Sequence, residues 1–422
     1  MKKDIKTTGN MPAIIGFSLS KFNELKTKDR FFHANGSGYY GDFTSTNDLS
    51  KYTTAQFLTG NNKKFKVAIR FSNTVADHGT SELLRDNRGF SVRFFGDNEL
   101  LDIVGLSTPI QWVDKAESTN VFHQAFNRDE RTNTINFNNK WAFVESNPSG
   151  LHVLTMIYSD TGIPRGWENM NGYGCQTYSL VDKNGKRVWI KFHFKTQQGR
   201  AFYTDEEATL ISFNEPDKMS RNMHDLISGK NFPKWKVYIQ IAEENSWENV
   251  EYNMFSTTNI WPHKDFPLIE VGEIELNELA KNQIKEFDQI GFGPGNLPVG
   301  IGLSPDFALL SRAKAYPMVQ ELRLGKKLNP LPDHVKKDFD LYKASQVYII
   351  SQNKQAEEHY YLQPRNLWNM FNDDQKNRLY KNIAVSLSQA NQEIIDGVIV
   401  HFSRIHPDYA DGVLKAIKNL AE

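Results

Sequence analysis

Between Lys64 and Asn73 hydrophobic and polar residues alternate, with Phe65, Val67, Ile69 and Phe71 on one side of an extended chain and Lys66, Ala68, Arg70 and Ser72 on the other. The spacing predicts a strand on which Arg70 and Ser72 look the same way. Ordinary alternation would leave that side in water. Further strand patterns cover Phe90 to Phe95, Asp102 to Val104, Val153 to Tyr158, Gln176 to Asp182, Val188 to Thr196 and Lys236 to Ala242. Asn184-Gly185 lies between two of them, and both residues tolerate positive φ, so it predicts a hairpin turn. Sequential strands without helices at regular βαβ spacing predict a closed antiparallel barrel rather than an open parallel sheet.

From Glu270 to Leu303 the pattern loosens, and Gly291 to Pro298 carries too many helix and strand breakers for regular structure. Such a stretch is predicted to wrap over something already folded. A helix follows over residues 304–324, with Ser304 as N-cap, Pro305 at the first helical position and Gly325 as the stop. Along it Phe307, Leu310 and Lys314 share one side, and Arg312 and Tyr316, four apart, share a face. A Pro-bearing connection spans Asn329 to Pro332, and helical periods recur at Asp373 to Leu387, Ser388 to Phe402 and Pro407 to Ala421. The expected class is α+β: an arm at 1–33 with one short helix pattern at Leu19 to Lys26, a barrel at 34–270, a wrapping segment at 271–367 and a helical segment at 368–422.

With 422 residues the chain can bury a large core, and 50 Lys plus Arg against 50 Asp plus Glu gives no global pull toward nucleic acid or anionic lipid. Small molecules or copies of the same chain are the expected partners. A single cysteine, Cys175, excludes an internal disulfide framework and a Cys-rich metal site, and fits a reducing compartment. Ala13 to Phe17 is too short for a signal-peptide apolar region, and no later run approaches the ~18 residues of a membrane helix. A cytoplasmic protein without a membrane span is expected.

Two clusters carry candidate chemistry. Arg312 sets a guanidinium against the Tyr316 phenol. A phenol ionises near pH ~10, but an adjacent fixed cation favours phenolate, a hard anion able to hold ferric iron. On spacing alone a helix tyrosine reads as well as a half-buried packing residue. The second cluster is Arg30-Phe31-Phe32-His33-Ala34-Asn35-Gly36-Ser37-Gly38-Tyr39-Tyr40-Gly41. Its glycines let the backbone turn sharply and could present His33 from a rigid strand entry as a proton acceptor and donor. A core or surface histidine is the alternative.

Arg312-x-x-x-Tyr316-Pro317 followed by Arg323-Leu324-Gly325 resembles the proximal haem helix of the monofunctional haem catalases. Arg30-x-x-His33-Ala34-x-Gly36-x-Gly38-x-x-Gly41 resembles their distal-histidine motif, and Arg70-Phe71-Ser72 matches the strand between. Arg85-Asp86-x-Arg88-Gly89-Phe90, Met170 to Gly174, Lys191 to Thr196 and Trp261 to Leu268 resemble family segments in the same order. The resemblance implies a catalase-like antiparallel barrel carrying haem b (iron protoporphyrin IX). Tyr316 would be the axial iron ligand and Arg312 would keep it ionised. Arg30, Arg70 and Arg323 would bind haem propionates, His33 would be the acid/base and Ser72 would support its imidazole. The helical end resembles the small-subunit class and leaves no room for a flavodoxin-like domain. Family members are tetramers, so a homo-oligomer, tetramer or dimer, is expected.

Several positions depart from the family pattern. Ser107 stands where the distal asparagine is usual, so peroxide would meet a shorter, single donor, and losing one well-placed donor costs roughly a hundredfold in rate. Gln176 replaces a His beside the proximal Arg, Gln320 and Glu321 replace basic residues, Phe32 is bulkier than usual, and Gln111-Trp112 places a Trp where a Phe packs near the distal pocket. Tyr173, Lys195, Trp261 and His263 of the family's nucleotide site are present, but Thr161 occupies an expected Arg position, so NADPH is not expected. The leading expectation is an enzyme of hydrogen peroxide dismutation or peroxidase activity. The alternative is conversion of an organic or lipid hydroperoxide, or oxidation of a specialised metabolite. A haem-carrying binding or sensing protein is the third.

Overall fold

The computed structural model describes residues 30–343 and 356–422, apart from 31, 76, 114–115, 130 and 329. The helix pattern at Leu19 to Lys26, and most of the arm with it, lies outside the described residues.

Strands β1 (Gly36–Ser45), β2 (Lys64–Asn73), β3 (Arg88–Phe95) and β4 (Leu100–Leu106) form successive antiparallel pairs. They continue through β5 (Gly172–Tyr173) to β7 (Arg187–Thr196), β8 (Lys234–Glu243) and β9 (Ile269–Leu279), which returns to β1. Pairing of β7 with β8 and of β9 with β1 closes the ring, and the short strands β6 (Tyr178–Val181) and β10 (Ile301–Gly302) extend from β7. The expected antiparallel barrel is present, and Gly185 makes the β6–β7 hairpin turn at φ 84°.

Strand β2 has the expected bounds, but its alternation governs only its first residues. From Val67 onward both faces are buried, and Arg70 and Ser72 keep just 4% and 3% of their surface. The polar side that alternation alone would leave wet is roofed by other parts of the chain.

The glycines after His33 do not make a turn. Gly36, Gly38 and Gly41 lie within β1, where an added Cβ would fall 2.2 Å from the Phe71 carbonyl, 1.9 Å from the Phe287 ring and 2.1 Å from the Glu275 carbonyl. They permit close approach of neighbours. The left-handed residue is His33 itself, at φ 61°.

Val153 to Tyr158 is helical rather than extended. It belongs to α3 (Leu151–Tyr158), which is buried nearly all round and so shows no period to distinguish helix from strand. With α1 (Ala116–Phe126) and α2 (Phe137–Ser146) it fills the excursion between β4 and β5, while α4 (Asp205–Asn214) and α5 (Lys218–Ser228) lie between β7 and β8. The loosened pattern after Glu270 is in fact the start of β9, which carries the sheet past residue 270. Its signal is masked by acidic residues that pair across to β8, Glu270 with Lys236 at 2.9 Å and Glu275 with Lys234 at 2.7 Å.

After β9 the chain wraps the barrel and enters α6 (Phe307–Leu324), then α7 (Asp333–Lys343). The end is α8 (His359–Asn369), α9 (Asp373–Leu387), α10 (Gln392–Ile405) and α11 (Pro407–Ala421). Helices α9 and α11 keep their expected bounds; α10 starts at Gln392 instead of Ser388. One hydrophobic cluster fills the barrel and seats α6, and a second joins α1–α3 to the C-terminal helices. Among the described residues no helix is long and apolar enough to cross a membrane.

Candidate active site

Helix α6 begins two residues later than its sequence signals suggest. Asp306, not Ser304, is the N-cap: its carboxylate accepts from the Leu309 N–H at 3.0 Å and from the Thr177 N–H at 2.9 Å. Ser304 instead donates to the Thr177 carbonyl at 2.5 Å, fastening the helix entry to the segment before β6. Gly325 ends the helix in the left-handed conformation, as expected. Burial pushes the Asp306 carboxyl up to about 6 despite these donors.

This anchoring sets Arg312 and Tyr316. Arg312 donates from Nε and Nη2 to the Tyr316 phenol oxygen at 3.2 and 2.8 Å, and from Nη2 to the Val104 carbonyl at 3.1 Å. Burial is the largest influence and disfavours the Arg312 cation, yet Tyr316, together with Tyr178 and Cys175, outweighs it and holds Arg312 above its ordinary value. Both donors are aimed at the atom that would ligate iron. No group of three or more His, Cys, Asp or Glu converges as a metal site among the described residues.

Three further guanidiniums gather near the other end of the helix. Arg323 donates to the carbonyls of Asp288 at 2.6 Å and Ile290 at 3.3 Å, and Arg30 to those of Phe287 at 2.8 Å and Ile290 at 3.2 Å. Arg70 reaches the Ala34 carbonyl at 3.2 Å. Burial, followed by Arg70 and Arg323, pulls Arg30 well below its ordinary value, and burial pulls Arg70 down to about 10. Asp288 is the carboxylate that partly offsets both. Among the described residues, Nε of Arg30, Nε of Arg70 and Nη1 of Arg312 are buried without a hydrogen-bond partner. Such a surplus of cation and unspent donors fits a buried ligand that carries its own carboxylates, as the propionates of a haem would supply.

On the barrel side, Nδ1 of His33 lies 3.0 Å from the Ser72 hydroxyl, and the His33 N–H donates to the Thr74 carbonyl at 3.1 Å. Burial, then the cations Arg70, Arg312 and Arg30, lower His33 to about 3, so its ring is neutral. Gly89 of β3 backs the pair, since an added Cβ would come within 2.4 Å of the Ser72 oxygen and 2.7 Å of His33 Nδ1. The preceding residue holds Ser107: the Arg88 N–H donates to its Oγ at 2.9 Å, and the Ser107 N–H donates to the Arg88 carbonyl at 2.7 Å. Arg88 is in turn fixed by the carbonyls of Asp86, Gly162, Glu82 and Leu84.

His33, Ser72, Arg30, Arg70, Arg312, Tyr316, Arg323 and Ser107 are thus set by β2–β4, α6 and the wrapping segment. Trp112 packs on Phe122 and Phe126 at 5.9 and 4.9 Å and belongs to the helical cluster. Gln176 is fully buried, and among the described residues both its amide atoms are unpartnered. The roles of Gly89 and of the Val104 carbonyl escape a reading of side-chain types, because one acts through a missing Cβ and the other through backbone.

The chain is similar to known proteins in sequence and in fold. Residues 15–366 match the family described as Catalase, and residues 354–417 match one described as Catalase-related immune-responsive. A catalase of Staphylococcus epidermidis is 33% identical over 445 residues, covering 94% of this chain and 88% of its own. A catalase of Helicobacter pylori strain J99 is 32% identical over 451 residues, covering 95% and 88%. Among solved structures, a fungal catalase is similar with a TM-score of 0.84 at 26% identity, over 100% of this chain and 94% of that one. Catalase A from Saccharomyces cerevisiae gives 0.83 at 26% identity, over 99% and 96%.

Proposed function

The chain belongs to the catalase family, and from that premise we propose that it dismutates hydrogen peroxide at a haem b held by Tyr316, with Arg312 on the ligating oxygen and Arg30, Arg70 and Arg323 on the propionates. The family makes it an oxidoreductase acting on hydrogen peroxide. The observation that carries the site assignment is the neutral, buried His33 bonded through Nδ1 to Ser72 at 3.0 Å beside a cluster of under-compensated arginines.

When bound, the haem iron supplies the two-electron redox chemistry at the peroxide oxygens. The protein handles the proton. With Nδ1–H donated to Ser72, Nε2 is the free base that takes the proton from one peroxide oxygen and returns it to the other, which leaves as water; a second peroxide gives up two electrons and two protons, departs as O2 and completes the balance with a second water. Ser107 accepts from the Arg88 N–H and keeps its own O–H to offer the substrate. The arginines and the wrapped carbonyls hold the cofactor edge away from water.

The test is oxygen evolution by haem-loaded protein given hydrogen peroxide. Rapid evolution supports the reading, and none sinks it. A second reading rests on Ser107, whose oxygen is drawn to the Arg88 backbone and offers less grip on a small peroxide than an amide would. It predicts slow oxygen evolution alongside rapid consumption of a fatty-acid hydroperoxide.

Other features bear on the cofactor set and setting. Lys195 donates to the Tyr173 hydroxyl at 3.2 Å, and the Thr161 hydroxyl donates to the Met156 carbonyl at 2.7 Å; residue 161 brings no cation to a 2′-phosphate, and NADPH is left out of the proposed cofactor set. The buried free thiol of Cys175 suits the cytoplasm, and a homo-oligomer, tetramer or dimer, is its proposed assembly.

A further inference from the structure

Asp102 lies on β4 and is fully buried. Its carboxylate accepts from Arg93 Nε at 2.7 Å and Nη2 at 2.6 Å, from the Gly293 N–H at 2.9 Å and from Asn296 Nδ2 at 2.7 Å. Its own N–H donates to the Asn296 carbonyl at 2.9 Å, and Arg93 Nη2 donates to the Gly291 carbonyl at 2.9 Å. Two of these four donors come from residues 291–296 and two from Arg93 on β3, so one carboxylate clamps that segment to the barrel wall.

The residues just before that clamp make the seat for two cofactor arginines. The carbonyls of Phe287, Asp288 and Ile290 receive the N–H donors of Arg30 and Arg323, and Ile290 receives one from each. Ile290 adjoins Gly291, whose carbonyl Arg93 holds. Two residues along β4, the Val104 carbonyl takes Arg312. A shift of the clamp would therefore move the seat of Arg30 and Arg323 relative to the strand that fixes Arg312.

We infer that Asp102 is a positioning residue for the cofactor: through Arg93 and the 291–296 clamp it sets where Arg30 and Arg323 meet the carboxylates of the bound ligand. This rests on the haem reading above. Asp102 touches no substrate and no cofactor; it acts through the two arginines.

The closing experiment measures haem transfer from the haem-loaded full chain to excess apomyoglobin. Asp102→Asn keeps the shape but removes the charge, and should speed transfer about tenfold; in an Arg323→Gln background it should add less than about twofold, because the path it acts through is already cut. Asn296→Ala removes one strut of the clamp and should give a smaller acceleration, which keeps the idea testable if Asp102→Asn does not fold. Asp338→Asn is the control. Asp338 is a comparable buried latch, held by Arg187 at 2.6 Å and the Leu303 N–H at 2.9 Å, and neither of these partners belongs to the 287–296 segment. It should lower the melting temperature and leave transfer unchanged. Transfer from Asp102→Asn at the wild-type or Asp338→Asn rate, or a full additive effect on Arg323→Gln, overturns the inference while the haem reading stands. Wild-type protein that retains no haem overturns the haem reading and the inference with it.

Discussion

The Ser72 hydroxyl lies 3.0 Å from Nδ1 of His33, and the two meet over a position, Gly89, where a single methyl group would come within 2.4 Å of the oxygen and 2.7 Å of the nitrogen. Orientation of the proposed base therefore depends on an atom that is not there. Gly89→Ala should push the imidazole or the serine aside and lower kcat/KM for oxygen evolution by roughly a hundredfold. Haem absorbance should stay close to wild type, because Gly89 does not touch Tyr316 or Arg312. Full activity in the variant would mean that the His33–Ser72 contact is dispensable.

The same burial governs pH. Burial first, then Arg70, Arg312 and Arg30, lowers His33 from 6.5 to about 3. The neutral ring is the base, and a lowered pKa extends its range downward. Activity should thus survive as pH falls through 6.5 and fail only on approach to 3. A profile of kcat/KM flat from pH ~8 to ~5 is expected, and an acid limb centred near 6.5 would contradict the neutral, buried base.

Ser107 is tied in both directions to the backbone of Arg88, at 2.9 and 2.7 Å. Asparagine there could accept from the same N–H and still extend an amide donor toward the substrate. Ser107→Asn should raise kcat/KM for oxygen evolution by roughly tenfold. An unchanged value would show that the serine does not limit turnover.

Tyr316→Phe removes the oxygen that receives two Arg312 donors, leaving Arg312 the Val104 carbonyl as its remaining described acceptor. The purified variant should hold little haem and lose phenolate-ligated absorption bands. An unaltered spectrum would take Tyr316 out of the ligand role.

Asp306→Ala removes the N-cap acceptor of α6 together with the acceptor for the Thr177 N–H. The loss should cost about 2 kcal/mol. Urea unfolding is the measurement: the midpoint should fall with an unchanged slope, and a midpoint equal to wild type would place the helix anchor elsewhere, with Ser304 the first alternative.

By itself the sequence determined the strands of the barrel where residues alternate, the ends of α9 and α11, the stop at Gly325 and the types of nearly every proposed site residue. These are local properties. Period, turn chemistry and short motifs are written in neighbouring positions, and Arg312 and Tyr316 share a helix whatever surrounds it. Tertiary structure alone decided that Val153 to Tyr158 is helical, because burial on every side erases periodicity, and that β9 exists, because its glutamates are matched by lysines on another strand. It also decided that Gly36, Gly38 and Gly41 admit neighbours instead of turning the chain, that Trp112 joins the helical core, and that Asp306 caps α6. The physical reason is common to all of these. A missing Cβ, a backbone carbonyl or a cross-strand ion pair has meaning only through its partner, and the partner of Asp102 or Ile290 is far away along the chain until the barrel closes.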